Sequence, residues 1–388
     1  MKKWYFFLMT FIVVGLISCN KQEEAREYSL KSSDSLLRVK LDSLTSNLSS
    51  WLNYRHDEKL DSGMLFSVDP GQNEIELYSL NEGRLLDKVT YEREGPNGVG
   101  VLIEIGIQGL DSVLIFPAFD NSFYQSRLSD LALSKVEYEK PDEYAAIRSM
   151  TNYFGSNAYT DEDFIYTRTL FGGDYTLLDN EQLSAKPLMY RVNVASGEVE
   201  FSRFTFPDDY WADGKRHYEF SSIIDENRFT FSFHSDHHIY YGTSFHEPLK
   251  KKPAKSKYLN QELEYLPIAG DRNDRRRYFA TAGHYGNLIY DQFRKVYYRF
   301  CYPKKQLEPD QDLQQITLFP KEFSVMILNS ELEVIGETLI GDDNHLYATS
   351  NVFVGPKGLY ISVNHPESEM NREDTFGFQL FTLESVLK

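Results

Sequence analysis

From about residue 60 to its end, the chain alternates between apolar, strand-like stretches and short clusters of turn residues. Asp69-Pro70-Gly71-Gln72-Asn73 separates residues 64–68 from 74–80, and Asn81-Glu82-Gly83 leads into 84–91. Asp120-Asn121-Ser122, Ser196-Gly197 and Asn329-Ser330-Glu331 punctuate later pairs of stretches in the same way. Within residues 228–233, Phe229, Phe231 and Phe233 alternate with Thr230 and Ser232, the period-2 pattern of a strand. No long amphipathic helix is predicted in this region. Residues 141–150 read as a short helix or an inner strand.

The predicted strands fall into groups of four. The second strand of each group begins near Met64, Ser112, Asp163, Arg228, Lys295 and Gly358, at intervals of 48 to 67 residues. Four-stranded antiparallel units at such a period are the mark of propeller blades lengthened by insertions. The expected fold is therefore all-β, a six-bladed β-propeller. Its last group lacks a fourth strand, and residues 36–41 near the N-terminus can supply it, closing the ring and removing an open edge. A pair of β-sandwiches would also give short strands at this spacing. In an up-and-down blade, the turns between second and third strands share one rim with the connections between blades. The long insertions at 171–187, 303–321 and 366–375, with the connection at 246–277, all fall on that rim, which is the expected working face.

Composition supports this picture. The chain is 41% hydrophobic and 15% aromatic, with 27 Tyr and 27 Phe, which suits half-buried pleated surfaces. Its net charge of −17 argues against nucleic-acid partners, since phosphate contacts need clustered Lys and Arg.

The N-terminus changes the expected location. Lys2 and Lys3 precede an apolar run over 4–17, which ends in Leu16-Ile17-Ser18-Cys19. That run is shorter than the roughly 20 residues a membrane-spanning helix needs. A small residue followed by Cys at this point resembles the bacterial lipoprotein signal, which implies cleavage before Cys19 and lipid attachment to its sulfur. Residues 1–18 are then a signal peptide, 19–29 a flexible tether and 30–388 the folded domain. The acidic stretch Asn20-Lys21-Gln22-Glu23-Glu24 resembles the surface-export signal of Bacteroidota lipoproteins and reads equally as a plain solvated linker. With Cys19 lipidated, Cys301 has no disulfide partner, and its aromatic surroundings make it a small apolar residue of a strand.

The stretches Glu92-Arg93-Glu94-Gly95-Pro96-Asn97-Gly98, Gly109-Leu110-Asp111-Ser112 and Arg294-Lys295-Val296-Tyr297-Tyr298-Arg299-Phe300 resemble an uncharacterised family of Bacteroidota lipoproteins, a domain of unknown function. That family is similar in pattern to six-bladed, TolB-like propellers. The resemblance implies a fold and an envelope location, and it carries over no catalytic residues.

Candidate chemistry is sparse. His234-Ser235-Asp236-His237-His238 lies at a predicted hairpin turn, and two His with an Asp could ligate zinc, though the spacing matches no established zinc pattern. His234, Asp236 and His237 are retained as ligand-binding candidates, with no metal or cofactor expected. Arg272, Arg275, Arg276 and Arg277 form a basic cluster interleaved with Asp271 and Asp274, and Lys250, Lys251, Lys252, Lys255 and Lys257 form another. Both are expected in loops on the working rim, where an acidic glycan or phosphate could use them. Motifs for nucleophilic, zinc-peptidase or phosphate-loop chemistry do not occur in the sequence. The expected function is a lipid-anchored binding or scaffold module of the outer envelope, facing the periplasm or the cell surface and partnered by the membrane, an envelope protein or a glycan. The alternative is a glycan lyase or hydrolase with its site on the same rim.

Overall fold

The computed structural model describes residues 26–48, 52–59, 61–117, 120–147, 158–225, 228–267, 271–307, 311–341 and 345–387. The signal peptide, Cys19 and residues 20–25 of the expected tether lie outside them. The chain is mostly β. Three separate four-stranded antiparallel sheets are built from consecutive strands: β6–β9 (Leu102–Ile107, Ser112–Pro117, Ser122–Arg127, Leu133–Glu137), β10–β13 (Tyr159–Thr160, Phe164–Arg168, Met189–Asn193, Val199–Phe201) and β14–β17 (Phe220–Asp225, Arg228–Phe233, His238–Gly242, Lys250–Pro253). A 12-stranded system holds three further antiparallel runs. These are β2–β5 (Leu52–Asp57, Ser62–Asp69, Glu74–Ser79, Arg84–Thr90), β18–β21 (His284–Asp291, Val296–Tyr302, Phe323–Leu328, Val334–Ile340) and β22–β24 (Tyr347–Gly355, Gly358–Ser362, Thr375–Leu387). The second strands start at Ser62, Ser112, Phe164, Arg228, Val296 and Gly358, within two residues of the positions that the turn chemistry marked.

The N-terminal strand β1 (Arg26–Lys40) completes the last run. It pairs antiparallel with β24 from Arg26↔Leu387 to Lys40↔Thr375, with an irregularity between Ser32 and Leu36. It also touches two outer strands in parallel, β21 at Tyr28↔Gly336 and β5 at Lys40↔Arg84. The pairing is longer than the predicted 36–41, because Leu30 as well as Val39 finds a buried apolar site. Gly336 lets β1 approach, since a Cβ there would sit 1.8 Å from the carbonyl oxygen of Tyr28.

The core lies between successive sheets. Phe66, Val68 and Ile75 of the first run pack on Ile105, Val113 and Ile115 of the second. Leu114 and Phe116 on the second sheet's other face meet Ile165, Tyr190 and Val192. The series continues through Phe229, Phe231 and Phe233, then Tyr285, Tyr297 and Met326, then Tyr298, Phe300 and Leu359. Last, Val39, Phe353, Phe376 and Phe378 pack against Leu52, Leu65 and Tyr78 of the first run. Strands such as β19 and β20 are buried at every position because both of their faces are covered.

Among the described residues, three short α-helices interrupt this pattern: α1 (Asn180–Ser184), α2 (Arg272–Thr281) and α3 (Leu313–Leu318). Residues 141–147 form neither a helix nor a regular strand. They pair by backbone with 170–172, through Ala145 N–H to Leu170 O at 2.8 Å and an isolated Tyr144↔Phe171 bridge. No helix among the described residues is long and apolar enough to cross a membrane.

Candidate functional site

The turn that joins β15 to β16 carries the predicted histidines, and the side chains of Asp236 and His237 are engaged within the fold. Asp236 accepts the backbone N–H of His238 at 2.7 Å, meets the His238 ring Nδ1 at 2.7 Å and accepts the Tyr240 hydroxyl at 2.9 Å. His237 Nε2 lies 3.2 Å from the carbonyl oxygen of Gln261, so in the neutral ring that nitrogen bears the proton. Nδ1 then accepts from the Tyr285 hydroxyl at 2.7 Å. Beneath the turn, the fully buried Arg299 stacks on Tyr285, 3.3 Å from its ring centre. It donates to Ser232 Oγ at 2.8 Å and to the carbonyls of Ala254 at 2.8 Å and Asp236 at 2.7 Å. One buried cation thus fixes the turn by its backbone.

His234 is buried, in company that the sequence did not indicate. Its ring lies 6.1 Å from those of His217 and His284, which stack on each other at 5.0 Å. Burial, and then the neighbouring imidazole, holds His217 well below the usual histidine range. Burial likewise depresses His234, and lowers His284 to about 4. Residues 217, 234 and 284 share no period, so no sequence pattern could have joined them. Among the described residues, no group of three or more His, Cys, Asp or Glu is placed to hold a metal ion.

Arg272, Arg275, Arg276 and Arg277 were expected in a loop and instead lie on α2. The interleaved acids are its cap. Asp271 accepts the N–H groups of Asn273 at 2.7 Å and Asp274 at 2.9 Å, while the Asp274 carboxylate accepts the Asp271 N–H at 3.1 Å. Arg272, Arg276 and Arg277 are exposed, and Arg275 pairs with Asp174 at 3.2 Å. Tyr278 docks the helix on His217, with ring centres 5.0 Å apart, so the predicted turn and the Arg cluster are joined through a residue that the sequence did not flag. The second basic cluster divides, with Lys255 and Lys257 in a loop as expected and the other three on a strand. Lys250, Lys251 and Lys252 belong to edge strand β17, where charge guards an open edge. Lys257 pairs with Glu27 at 3.0 Å.

A cavity of about 780 Å³ lies where the first strands of all six runs converge. It is lined from β2 by Asn53 and His56, from β6 by Ile105, from β14 by Ser222, and from β18 and β22 by Tyr290 and Asn351, with Tyr159 of β10 at its side. Its inner end is closed by contacts between strands. Ser221 Oγ accepts the Leu288 N–H at 2.9 Å, and the Asn287 amide donates to Thr349 O at 3.3 Å. Thr349 Oγ1 in turn donates to Leu318 O of α3 at 2.7 Å. From this floor the lining follows the C-terminal halves of the first strands to the hairpin turns, where Glu58, Lys59, Gly109 and Gln292 form part of it. At the mouth, Tyr54 stacks on Phe353 at 4.5 Å and Phe293 meets the His56 ring at 5.5 Å. Arg294 ties two of these turns together by donating to Pro356 O at 2.7 Å. The cavity is thus a funnel that opens at the end opposite the long loops, whereas loop length alone had pointed to the loop end. Its dimensions suit a small ligand, and its lining mixes apolar walls with amides, hydroxyls and rings.

The family model "Domain of unknown function (DUF4221)" matches residues 27–339. A crystal structure of a DUF4221 family member from Bacteroides vulgatus is similar to this one over 93% of this chain and 100% of that chain, at 20% identity and a TM-score of 0.81. That likeness bears on the fold. A calcium-binding protein, regucalcin, from Agrobacterium tumefaciens is similar more loosely, over 88% of this chain and 92% of that one, at 11% identity and a TM-score of 0.44. No curated protein matches the chain.

Proposed function

This chain belongs to the family of domains of unknown function DUF4221, and from that premise we propose that it is a lipid-anchored binding module of the bacterial outer envelope. In this reading it is a six-bladed propeller whose ring is closed by β1 and whose central funnel takes a small ligand. The convergence of six first strands on one cavity of about 780 Å³ carries the reading. The face-to-face series of apolar contacts that returns from β22–β24 to β2–β5 supports the ring, and the 12 paired positions between β1 and β24 support its closure. The loop-bearing end, with the exposed arginines of α2, is the second surface of such a module and suits an acidic partner. The N-terminal lipoprotein pattern ending in Cys19 supports the anchor.

The test is to fill the funnel. Ile107 lines it and is only partly buried, so Ile107→Trp should occupy space without breaking the core. The protein is incubated with the low-molecular-weight fraction of a culture extract, desalted and weighed by native mass spectrometry. A bound mass on the unaltered protein that is missing from a folded Ile107→Trp variant is expected. The same bound masses on both, or none on either, contradicts a funnel site.

A further inference from the structure

We propose that the anchored protein stands with its funnel mouth toward the membrane and displays its loop-bearing end, with α2, away from it. This rests on the reading of Cys19 as the lipid attachment point, and on the direction of β1.

Strand direction settles which end the anchor must leave from. In β22–β24, the second strand begins at the hairpin turn Gly355–Gly358, and Leu359, just after that turn, pairs with Phe381. The stretch of β24 beyond Phe381 runs past the level of that turn, and the start of β1 pairs with it, down to Arg26↔Leu387. A second register agrees. β1 runs parallel to β21, with Tyr28 beside Gly336, so Arg26 lies at the level where β21 leaves its own hairpin turn at 329–333. Both registers place the beginning of β1 at the end of the molecule where the hairpin turns ring the funnel mouth. Cys19 precedes Arg26 by seven residues. An extended chain covers at most about 3.6 Å per residue, so the lipid lies within about 25 Å of that end. The far end is a further ~20 Å away, the length of a six-residue strand.

Charge agrees with this arrangement. The turn end is rich in carboxylates, with Glu58, Asp61, Asp111 and Glu331 at its hairpins, so anionic headgroups do not attract it and the lipid alone holds it there. Exposed arginines that could bind a membrane surface, Arg272, Arg276 and Arg277, sit on α2 at the opposite end. They are free for an acidic partner outside the membrane plane. The funnel mouth, by contrast, is offered to molecules at or near the bilayer.

The orientation can be read by energy transfer. The full-length lipidated protein is reconstituted into phosphatidylcholine vesicles that carry an acceptor dye on their headgroups. A donor is placed at the turn end through Lys357→Cys or at the loop end through Arg276→Cys, both exposed positions. Cys301 is buried, and burial pushes its thiol up to about 12, so it stays unlabelled. Transfer from Lys357→Cys should be several-fold stronger than from Arg276→Cys. Flotation with the vesicles but equal or reversed transfer would overturn the orientation and leave the anchor intact. Failure of either labelled protein to float would remove the anchor reading, and the proposal with it.

Discussion

Replacing Lys88 by Met should be among the most damaging single changes in the molecule. Lys88 Nζ lies 2.5 Å from Asp42 Oδ2, 2.7 Å from Glu74 Oε1 and 2.9 Å from Glu76 Oε1. Glu76 is fully buried and is also held by the hydroxyls of Thr45 and Tyr78. The group joins the segment after β1 to the first sheet run, where the proposed ring closes. Without the ammonium, three carboxylates face one another with no counter-ion. Stranding buried charge costs about 3–5 kcal/mol, and the quarter exposure of Lys88 and Asp42 favours the lower figure. For a domain of this size, with unfolding entropy near 2 cal/mol/K per residue, that is a fall of about 4–7 °C in Tm. The pH dependence is diagnostic. Burial opposes ionisation of Asp42, but the Lys88 ammonium and nearby backbone N–H groups outweigh it and hold the carboxyl well below its ordinary value. Burial likewise opposes the charged Lys88, and the three carboxylates outweigh it and raise its pKa. The lowered acid stabilises the fold above the unfolded carboxyl pKa, and the raised base does so below the unfolded lysine pKa. The contribution is therefore present from about pH 4 to pH 10 and is lost outside that range. Calorimetry of both proteins from pH 7 to pH 3 should show the gap narrowing below about pH 4, where the contribution of the lowered carboxyl is lost. A Tm change under about 1 °C at pH 7, or a gap that widens in acid, would refute the reasoning.

Arg299→Lys should lower stability by about 3 kcal/mol or more in denaturant titrations, because an ammonium cannot reproduce the bonds to Ser232, Ala254, Phe233 and Asp236 from one planar group. Asp271→Ala removes the N-cap of α2 at a cost of about 1 kcal/mol, and hydrogen exchange should quicken at α2 amides while β19 and β20 stay protected. Burial lowers His217, His234 and His284, so the unfolded chain binds more protons below the unfolded histidine pKa of about 6.5, and stability should fall from there toward pH 4. Arg168, Arg299 and Lys305 oppose protonation of this cluster and Glu264 favours it, and His284→Gln should flatten the acid limb of a Tm–pH profile.

Turn chemistry made the strand groups legible. Clusters such as Asp69-Pro70-Gly71 and Asn329-Ser330-Glu331 mark hairpins whatever surrounds them, so the second strands could be located. Helix α2 was hidden because its buried residues, Tyr278 and Ala280, sit only at its C-terminal end and leave no apolar period over the Arg-rich part. The acids interleaved with its arginines cap its first turn. The histidine cluster was illegible because its members come from three separate stretches that only packing brings together. The funnel was missed for a related reason. Its position depends on which ends of the first strands approach each other, where Ser221 and Asn287 bond to neighbouring strands. Neither residue differs in pattern from other polar residues of a strand, whereas long loops are conspicuous in any sequence.

A methyl NMR titration with isoleucine-labelled protein would test the central claim most directly. Ile105, Ile107, Ile223, Ile224 and Ile289 line the funnel, while Ile316 lies on α3 at the loop end and Ile327 in the core of β20. On addition of the low-molecular-weight extract, shifts confined to the funnel methyls are predicted. Shifts centred on Ile316, or none at the funnel positions, would contradict a ligand site in the cavity where the first strands converge.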